Sequence, residues 1–266
     1  SCRMGIIKKG VIMKFNQKIA VITGGSRGLG KNIALRLAAY GADAIITYHS
    51  RKDEADAVVS EIETHDQKAL ALQLNVADTT SFNGFMRQVS NALKDKWGRD
   101  KFDFLINNAG IGATATIAQT TEEIFDSLFN VHFKGVYFLT QKAIPLINDN
   151  GCVINISSGL TRFTLPGYSA YASMKGAVDT FTKYIAKEHG DRGITANSVA
   201  PGAIETDFTK PSFDADPQRK EMIASLTALG RVGVPDDIGG VVAFLCSEDG
   251  RWVNGQRLEA SGGIFL

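Results

Sequence analysis

Seven short runs rich in β-branched and apolar residues, each separated from the next by enough chain for a helix, restrict this sequence more than anything else in it. They read KIAVIT (18–23), DAIITY (43–48), KALALQLNV (68–76), FDFLIN (102–107), GCVINIS (151–157), ITANSVA (194–200) and QRLEAS (256–261). Several are apolar almost without interruption, which suits parallel strands covered on both faces, and the amphipathic segments between them suit crossover helices. Repeated β-α units predict an α/β fold, a doubly wound parallel sheet of about seven strands with helices on both faces. In such a sheet a ligand lies beyond the carboxyl ends of the strands, so the residues just after each strand carry the functional information.

Composition narrows the partner. The 29 basic and 28 acidic side chains nearly cancel, so no overall field draws the chain to nucleic acid or an anionic membrane, and a small molecule is the expected partner. Cys2, Cys152 and Cys246 form neither a CxxC pair nor a disulfide framework, which points to a reducing, cytoplasmic setting. His49, His65, His132 and His189 never approach one another at ligand spacing, so no metal is expected and each reads as a surface or supporting residue. The opening SCRMGIIKKGVIMKF is basic, but Lys8, Lys9 and Gly10 break its apolar stretches, leaving neither a signal core nor a membrane span. Met13 reads as the natural start, residues 1–12 as a disordered leader, alternative start or cloning remnant, and 13–266 as one catalytic domain.

The first strand runs through VITGGSRGLGKNIALRLAAYG into a helix, with Gly24, Gly28 and Gly30 in the turn and Ser26, Arg27 and Leu29 between them. Glycines there let the backbone turn sharply and bring its N–H groups and the positive end of the helix against a pyrophosphate; the plainer alternative is a tight turn with no ligand. An acidic residue closing the second strand would accept hydrogen bonds from a free ribose 2′-hydroxyl. Here the strand ends TYHSRKDE, with no acid before Asp53, while Arg27 lies in the glycine turn and His49, Ser50 and Arg51 follow the strand. Cations and hydroxyls at that place suit a 2′-phosphate, so NADP(H) is expected over NAD(H), with Arg27 the sharper candidate and Lys52 a solvated loop residue.

Tyr171 and Lys175 lie four residues apart in YASMKGAVDTFTKYIAKEHG, where Met174, Ala177, Val178, Phe181 and Ile185 keep a helical spacing; one helix face therefore carries both. Tyr168 has Ala172 at that offset and lacks the cation. A free phenol has a pKa of about 10, and proton exchange near neutrality asks for a drop of about three units, roughly 4 kcal/mol. A neighbouring ammonium, with the positive nicotinamide of an oxidised cofactor, acts in that direction. Ser157 and Ser158 end the fifth strand on the ligand side, where a hydroxyl can hydrogen-bond a carbonyl as negative charge develops on it.

TGGSRGLG, NNAG, Asn130, Ser158, YASMK and PGAIET, in that order across residues 18–263, resemble the short-chain dehydrogenase/reductase family, compact single-domain enzymes with a Rossmann-type sheet and TGxxxGxG and YxxxK motifs. The resemblance implies that Asn75 and Val76 border the adenine, that Asn107, Ala109 and Gly110 shape the neighbouring sheet edge, and that Pro201, Gly202, Ile204 and Thr206 cover the nicotinamide. It implies further that residues 207–228 close over substrate, and it selects Ser158, thirteen positions before Tyr171, over Ser157. On this footing Tyr171 gives a proton to a ketone oxygen, Lys175 lowers its pKa and holds the nicotinamide ribose, Ser158 orients the carbonyl, and Asn130 sustains the proton relay. Tyr168 becomes a wall on the substrate side, and Arg162, Phe163, Phe208 and Phe213 are candidates for a partly apolar pocket.

The expected activity is hydride transfer between nicotinamide and a ketone or secondary alcohol. Carbonyl reductases, sugar or polyol dehydrogenases and 3-oxoacyl-carrier-protein reductases share these motifs, and a dinucleotide-binding redox sensor is the non-enzymatic alternative. The helical stretch EEIFDSLFNVHFKGVYFLTQKAIPLI is apolar on more than one face, which, with the resemblance, implies a homo-oligomer, a tetramer.

Overall fold

The computed structural model describes residues 15–207 and 209–266. The expectations for residues 1–12 and for Phe208 lie outside the described residues. Strands and helices alternate along the chain as β1 (Ile19–Ile22), α1 (Gly28–Ala39), β2 (Asp43–Tyr48), α2 (Lys52–Glu63), β3 (Ala69–Gln73), α3 (Phe82–Ala92) and β4 (Phe102–Asn107). The second half continues with α4 (Glu122–Phe129), α5 (Gly135–Ala143), β5 (Ile147–Ile156), α6 (Ser169–Glu188), β6 (Thr195–Pro201), α7 (Lys210–Ala215), α8 (Pro217–Ser225), α9 (Asp236–Cys246) and β7 (Arg257–Ala260).

All seven strands pair in parallel in the order β3-β2-β1-β4-β5-β6-β7. The chain winds outward from β1 to β3, then returns to β4 on the other side of β1 and winds away to β7. The reversal makes the carboxyl ends of β1 and β4 a topological switch point, where two crossover connections part and leave a crevice.

The sheet is buried on both faces because its strands supply apolar side chains to both. Along β1, Ala20 and Ile22 join one core with Ile33, Leu37, Ile46, Val58 and Val242, under α1, α2 and α9. Ile19 and Val21 join the other with Phe82, Phe85, Val89, Leu105, Leu139 and Ile185, under α3, α5 and α6. This period of two accounts for the near-continuous apolar runs of the sequence.

β5 begins at Ile147, four residues before the apolar run that announced it, and its register on β4 shifts between Phe102 and Phe104. Asp103 occupies that irregular end. Its carboxylate is buried and accepts from Ile19 N (2.9 Å), Lys18 Nζ (3.1 Å) and Asn148 Nδ2 (3.0 Å), with Arg99 3.4 Å away. A buried carboxylate needs such partners, and here they tie the amino ends of β1, β4 and β5 together, opposite the crevice.

Between α4 and α5 the helix continues, but residues Asn130–Lys134 wind as a π turn. The polar, proline-broken segment after β6 forms α7 and α8; Asp216 caps α8 by accepting from Arg219 N (3.2 Å), and Pro217 stands in its first turn. Among the described residues no helix is long and apolar enough to cross a membrane.

Candidate active site

At the switch point the chain leaves β1 through Thr23 and turns into α1 with Gly24 at φ +65° and Gly28 at φ +55°. A Cβ on Gly30 would stand 2.1 Å from the Gly24 carbonyl oxygen, and one on Gly24 would stand 2.9 Å from Ala109 Cα. Only glycine allows that approach of turn, helix and neighbouring strand. The turn is also fastened. Gly24 N donates to Thr47 Oγ1 (3.1 Å), Gly25 N to the Thr47 carbonyl (2.9 Å), and Thr23 Oγ1 accepts from the N–H groups of Asn108 (2.9 Å) and Ala109 (3.0 Å). Asn108 Nδ2 donates in turn to the carbonyls of Thr23 (3.0 Å) and Gly24 (3.1 Å). The result is a rigid cradle at the N-terminus of a twelve-residue helix, suited to a pyrophosphate.

The opposite wall comes from the end of β6. Gly202 N donates to Ala260 O (3.2 Å), Ile204 pairs with Gly233, and Thr206 lies 3.7 Å from where a Gly28 Cβ would be. The Pro201–Thr206 stretch therefore returns over the glycine turn. Arg27 is exposed and its guanidinium has no ion pair or hydrogen bond among the described residues, and Ser26, His49 and Ser50 stand at the same edge. Arg51 is engaged by Glu54 (2.6 Å), which holds its pKa above the usual value, and Lys52 by Asp56 (2.6 Å). Asn75 turns its Oδ1 back to Ala77 N (3.0 Å), and the Val76 carbonyl lies 2.1 Å from where a Gly135 Cβ would be. Leu29 packs on the core, leaving its backbone to face the crevice.

Asn107 departs from its expected role. Its amide is buried and donates to Thr140 Oγ1 (2.9 Å) and Asn155 Oδ1 (2.8 Å), and Asn155 passes the chain on to Thr182 Oγ1 (2.8 Å). That side chain braces β4 and β5 against α5 and α6 instead of facing a cofactor.

Beyond the carboxyl end of β5, α6 presents Tyr171 and Lys175 one turn apart. Lys175 is buried, donates to the Ile156 carbonyl (2.7 Å), and carries its Nζ 5.7 Å from the Tyr171 ring centroid. Ser158 stands close enough to the Tyr171 phenol to lower its pKa, and its Oγ accepts from Leu160 N (3.2 Å). Ser157 Oγ is buried without a hydrogen-bond partner among the described residues.

Burial governs both titrations. It pushes the Tyr171 phenol up to about 12, against the nearby Ser158 hydroxyl, with Tyr168 raising it further. It pushes Lys175 down to about 8, with Asp179 working in the opposite sense. The expectation that Lys175 brings the phenol toward neutrality is therefore not met by the chain alone: desolvation outweighs an ammonium held at that distance and occupied by a carbonyl.

The residue of the π turn that reaches this cluster is His132, not Asn130. The two are about 200° apart around a helix, so one faces away when the other faces in. The Asn130 side chain has no hydrogen-bond partner among the described residues, whereas His132 is 2% exposed and meets Tyr171 edge to face, with ring centroids 5.0 Å apart. Periodicity hid it, because a lone histidine in an apolar stretch resembles a supporting residue.

A cavity of about 540 Å³ lies against the first turn of α6, lined mainly by apolar groups of Ile117, Leu160, Leu165, Pro166, Tyr168 and Ala172. Tyr168 is its wall toward α8, and its hydroxyl accepts from Arg219 Nη2 of that helix (2.7 Å). The pocket expected around Arg162 and Phe163 is closed. Arg162 makes two bonds to Glu259 (2.7 and 2.6 Å) and one to the Ile264 carbonyl, holding Glu259 down to about 2. Phe163 packs on a small core of Phe213, Ile223, Val232 and Ile264 that seats α7 and α8. Among the described residues no cluster of three or more His, Cys, Asp or Glu could hold a metal ion.

Comparison with known proteins agrees with this geometry. Residues 24–264 match the family model described as enoyl-(acyl carrier protein) reductase. The chain is 39% identical over 251 residues to an uncharacterized oxidoreductase of Methylorubrum extorquens, covering 94% of this chain and 99% of that protein. It is 36% identical over 251 residues to the 3-oxoacyl-[acyl-carrier-protein] reductase FabG of Staphylococcus aureus, covering 94% and 98%. The angucycline C-6 ketoreductase LanV, solved with bound NADP, superposes with a TM-score of 0.90 at 35% identity, over 96% of this chain and 97% of that one. The same reductase solved with NADP and rabelomycin superposes with a TM-score of 0.85 at 34% identity, over 94% and 97%.

Proposed function

We propose that this chain, which belongs to the short-chain dehydrogenase/reductase family and is thus an NAD(P)-dependent oxidoreductase of C=O and CH–OH groups, is an NADPH-preferring ketoreductase. The observation that carries the proposal is the cluster of buried Ser158 and Lys175 with half-buried Tyr171 beyond β5, at the same end of the sheet as the glycine cradle. When bound, the reduced nicotinamide supplies the hydride.

The protein supplies orientation and the proton. Ser158 holds the carbonyl oxygen by a hydrogen bond that strengthens as charge develops there. Tyr171, at about 12, remains a protonated phenol at neutral pH and is still acidic enough to protonate an alkoxide. Lys175 stabilises the phenolate left behind and holds the nicotinamide ribose. The fit of the dinucleotide rests on the cradle that a Cβ at Gly24 or Gly30 would obstruct, and the 2′-phosphate preference on the unpaired Arg27 beside Ser26, His49 and Ser50. Binding of NADP by the ketoreductase LanV supports the same preference.

The apolar cavity favours a bulky, largely hydrocarbon ketone, and the rabelomycin bound by LanV supports a fused-ring substrate. The 36% identity to FabG over nearly the whole chain supports a second reading, reduction of a 3-oxoacyl thioester. Phe125, Tyr137 and Phe138 of α4 and α5, with Tyr184 of α6, expose an aromatic face that supports a homo-oligomer, and the paucity of cysteine supports a cytoplasmic setting.

Oxidation of NADPH and NADH by the purified protein, measured over a panel of 1-decalone, 2-tetralone, acetoacetyl-CoA and simple polyols, tests these readings together. Turnover of the fused-ring ketones with NADPH, lost in Tyr171→Phe with cofactor affinity retained, is the expected result. No turnover of any ketone, or full activity in Tyr171→Phe, refutes the assignment.

A further inference from the structure

The cavity against α6 brings together two hydrogen-bond donors and, among the described residues, no anion to receive them. Arg219 of α8 is half-buried, and its Nη2 donates to the Tyr168 hydroxyl (2.7 Å); its guanidinium has no ion pair among the described residues. The Tyr168 oxygen accepts in that bond, which leaves its own O–H to donate, and no described residue accepts it. The acids nearby are engaged elsewhere. Asp216 accepts from the Arg219 backbone N–H (3.2 Å), and Glu205 holds Lys220, the other cation of α8 (2.7 Å).

Tyr168 lines the cavity with Ile117, Leu160, Leu165 and Ala172, and no acidic side chain lines it. While water fills that space, an unpaired guanidinium at its edge is hydrated. A hydrocarbon body that enters displaces the water, and a charge left dehydrated without a counter-ion is strongly unfavourable. A ligand with its own oxyanion removes that penalty, because the planar guanidinium and the Tyr168 O–H can both donate to one carboxylate. With a single cation present, a singly charged group is matched better than a phosphate dianion. The site is also near the chemistry. Tyr168 precedes Tyr171 by three residues, about 4.5 Å along a helix axis, and its hydroxyl is close enough to raise the Tyr171 phenol. That span is comparable with the width of one six-membered ring.

We propose that Tyr168 and Arg219 form a carboxylate subsite, so that the ketone reduced by this protein is a hydrocarbon keto acid with its carboxylate about one ring from the carbonyl. The proposal rests on the ketoreductase reading above and narrows its substrate class. Arg219 supplies the charge and Tyr168 the second donor, and each fixes the other by the bond between them. Neither exchanges a proton with the reacting oxygen; the pair decides which ketone is held, and with which end toward Tyr171.

Reduction of 1-tetralone-4-carboxylate and of its carboxamide by the intact chain with NADPH tests this, since the two probes differ in charge and hardly in shape. The parent should favour the carboxylate about tenfold or more in kcat/KM. Arg219→Leu should raise KM about thirtyfold for the carboxylate but only several-fold for the amide, erasing the preference. Arg219→Lys keeps the charge without the fork and should retain part of it. Calorimetric titration with tetralin-1-carboxylate and its carboxamide, which have no ketone, reads the subsite without turnover; the carboxylate should bind about tenfold more tightly to the parent, and no more tightly than the amide to Arg219→Leu. Equal affinity of the parent for the two overturns the proposal whether or not any ketone is reduced. So does a loss in Arg219→Leu that is the same for carboxylate and amide, the mark of a bond that only seats α8. Failure of turnover with the carboxylate preference intact in calorimetry counts against the ketoreductase reading instead.

Discussion

Raising the pH from 7 to 9 should drive the two directions of the reaction apart, and the structure fixes by how much. Lys175 acts as an ammonium. Burial has brought its pKa from 10.5 to about 8, a shift equivalent to about 3 kcal/mol against the charged form. The charged fraction then falls from about 90% at pH 7 to about 10% at pH 9. Tyr171, at about 12, stays protonated throughout, so reduction loses only its ammonium and should slow about tenfold. Oxidation of the alcohol needs phenolate and ammonium together. Phenolate rises about a hundredfold over the interval while the ammonium falls about tenfold, leaving a net gain of about tenfold. The ratio of the two directions thus changes about a hundredfold, as the one proton released in the overall oxidation requires. Initial rates at saturating NADPH and ketone, and separately NADP and alcohol, followed by nicotinamide absorbance at constant ionic strength, give both profiles. A reduction rate unchanged between pH 7 and 9, with its fall deferred to the ordinary lysine range, would show that burial does not govern Lys175.

Three further outcomes follow from the geometry. Arg27→Ala should raise KM for NADPH about tenfold or more and leave KM for NADH nearly unchanged, since it removes a cation that only a 2′-phosphate engages; equal losses with both cofactors in steady-state kinetics would exclude that role. Gly30→Ala places a Cβ 2.1 Å from a backbone oxygen and 2.5 Å from Asn108 Nδ2, so it should cost about 2 kcal/mol of stability and weaken NADPH binding, both read from thermal melts with and without cofactor. Arg219→Leu and Tyr168→Phe each break the 2.7 Å bond between α8 and the cavity wall, so each should raise the ketone KM several-fold. Their effects should fall short of additive by about 1 kcal/mol, and strict additivity in the double variant would mean that the bond does not hold α8 to the cavity wall.

Much of this was legible in the sequence because the fold repeats a simple unit. Strands buried on both faces leave long apolar runs, a glycine turn must follow β1 if a helix is to start so close to it, and Tyr171 and Lys175 share a face on any helix. What escaped notice depends on contacts between residues distant in the chain. Asn107 was placed beside the cofactor by the family resemblance, yet Asn155 and Thr182, 48 and 75 positions away, draw its side chain inward. Arg162 looked free to meet substrate until Glu259, 97 positions on, claimed it. Helix α8 was signalled locally, by an aspartate followed by proline at its start, but the polarity and two prolines of the segment masked the cue. Asn130 was chosen on the family resemblance, and nothing in the sequence marks His132 as the residue of the irregular turn that meets Tyr171.

That irregular turn makes chain length itself a functional quantity. Between Glu122 and Ala143 the sequence contains one residue more than an even winding would use, and the surplus is taken up at Asn130–Lys134. Removing a single residue there would let the helix wind evenly with Leu139, Thr140 and Ala143 still in the core, and would cost only the widened turn that sets His132 against Tyr171. The same deletion on either side of the turn would swing everything beyond it by about 100° and carry those side chains out of the core. A one-codon deletion is therefore absorbed at a single place in this stretch, the place that faces the catalytic helix.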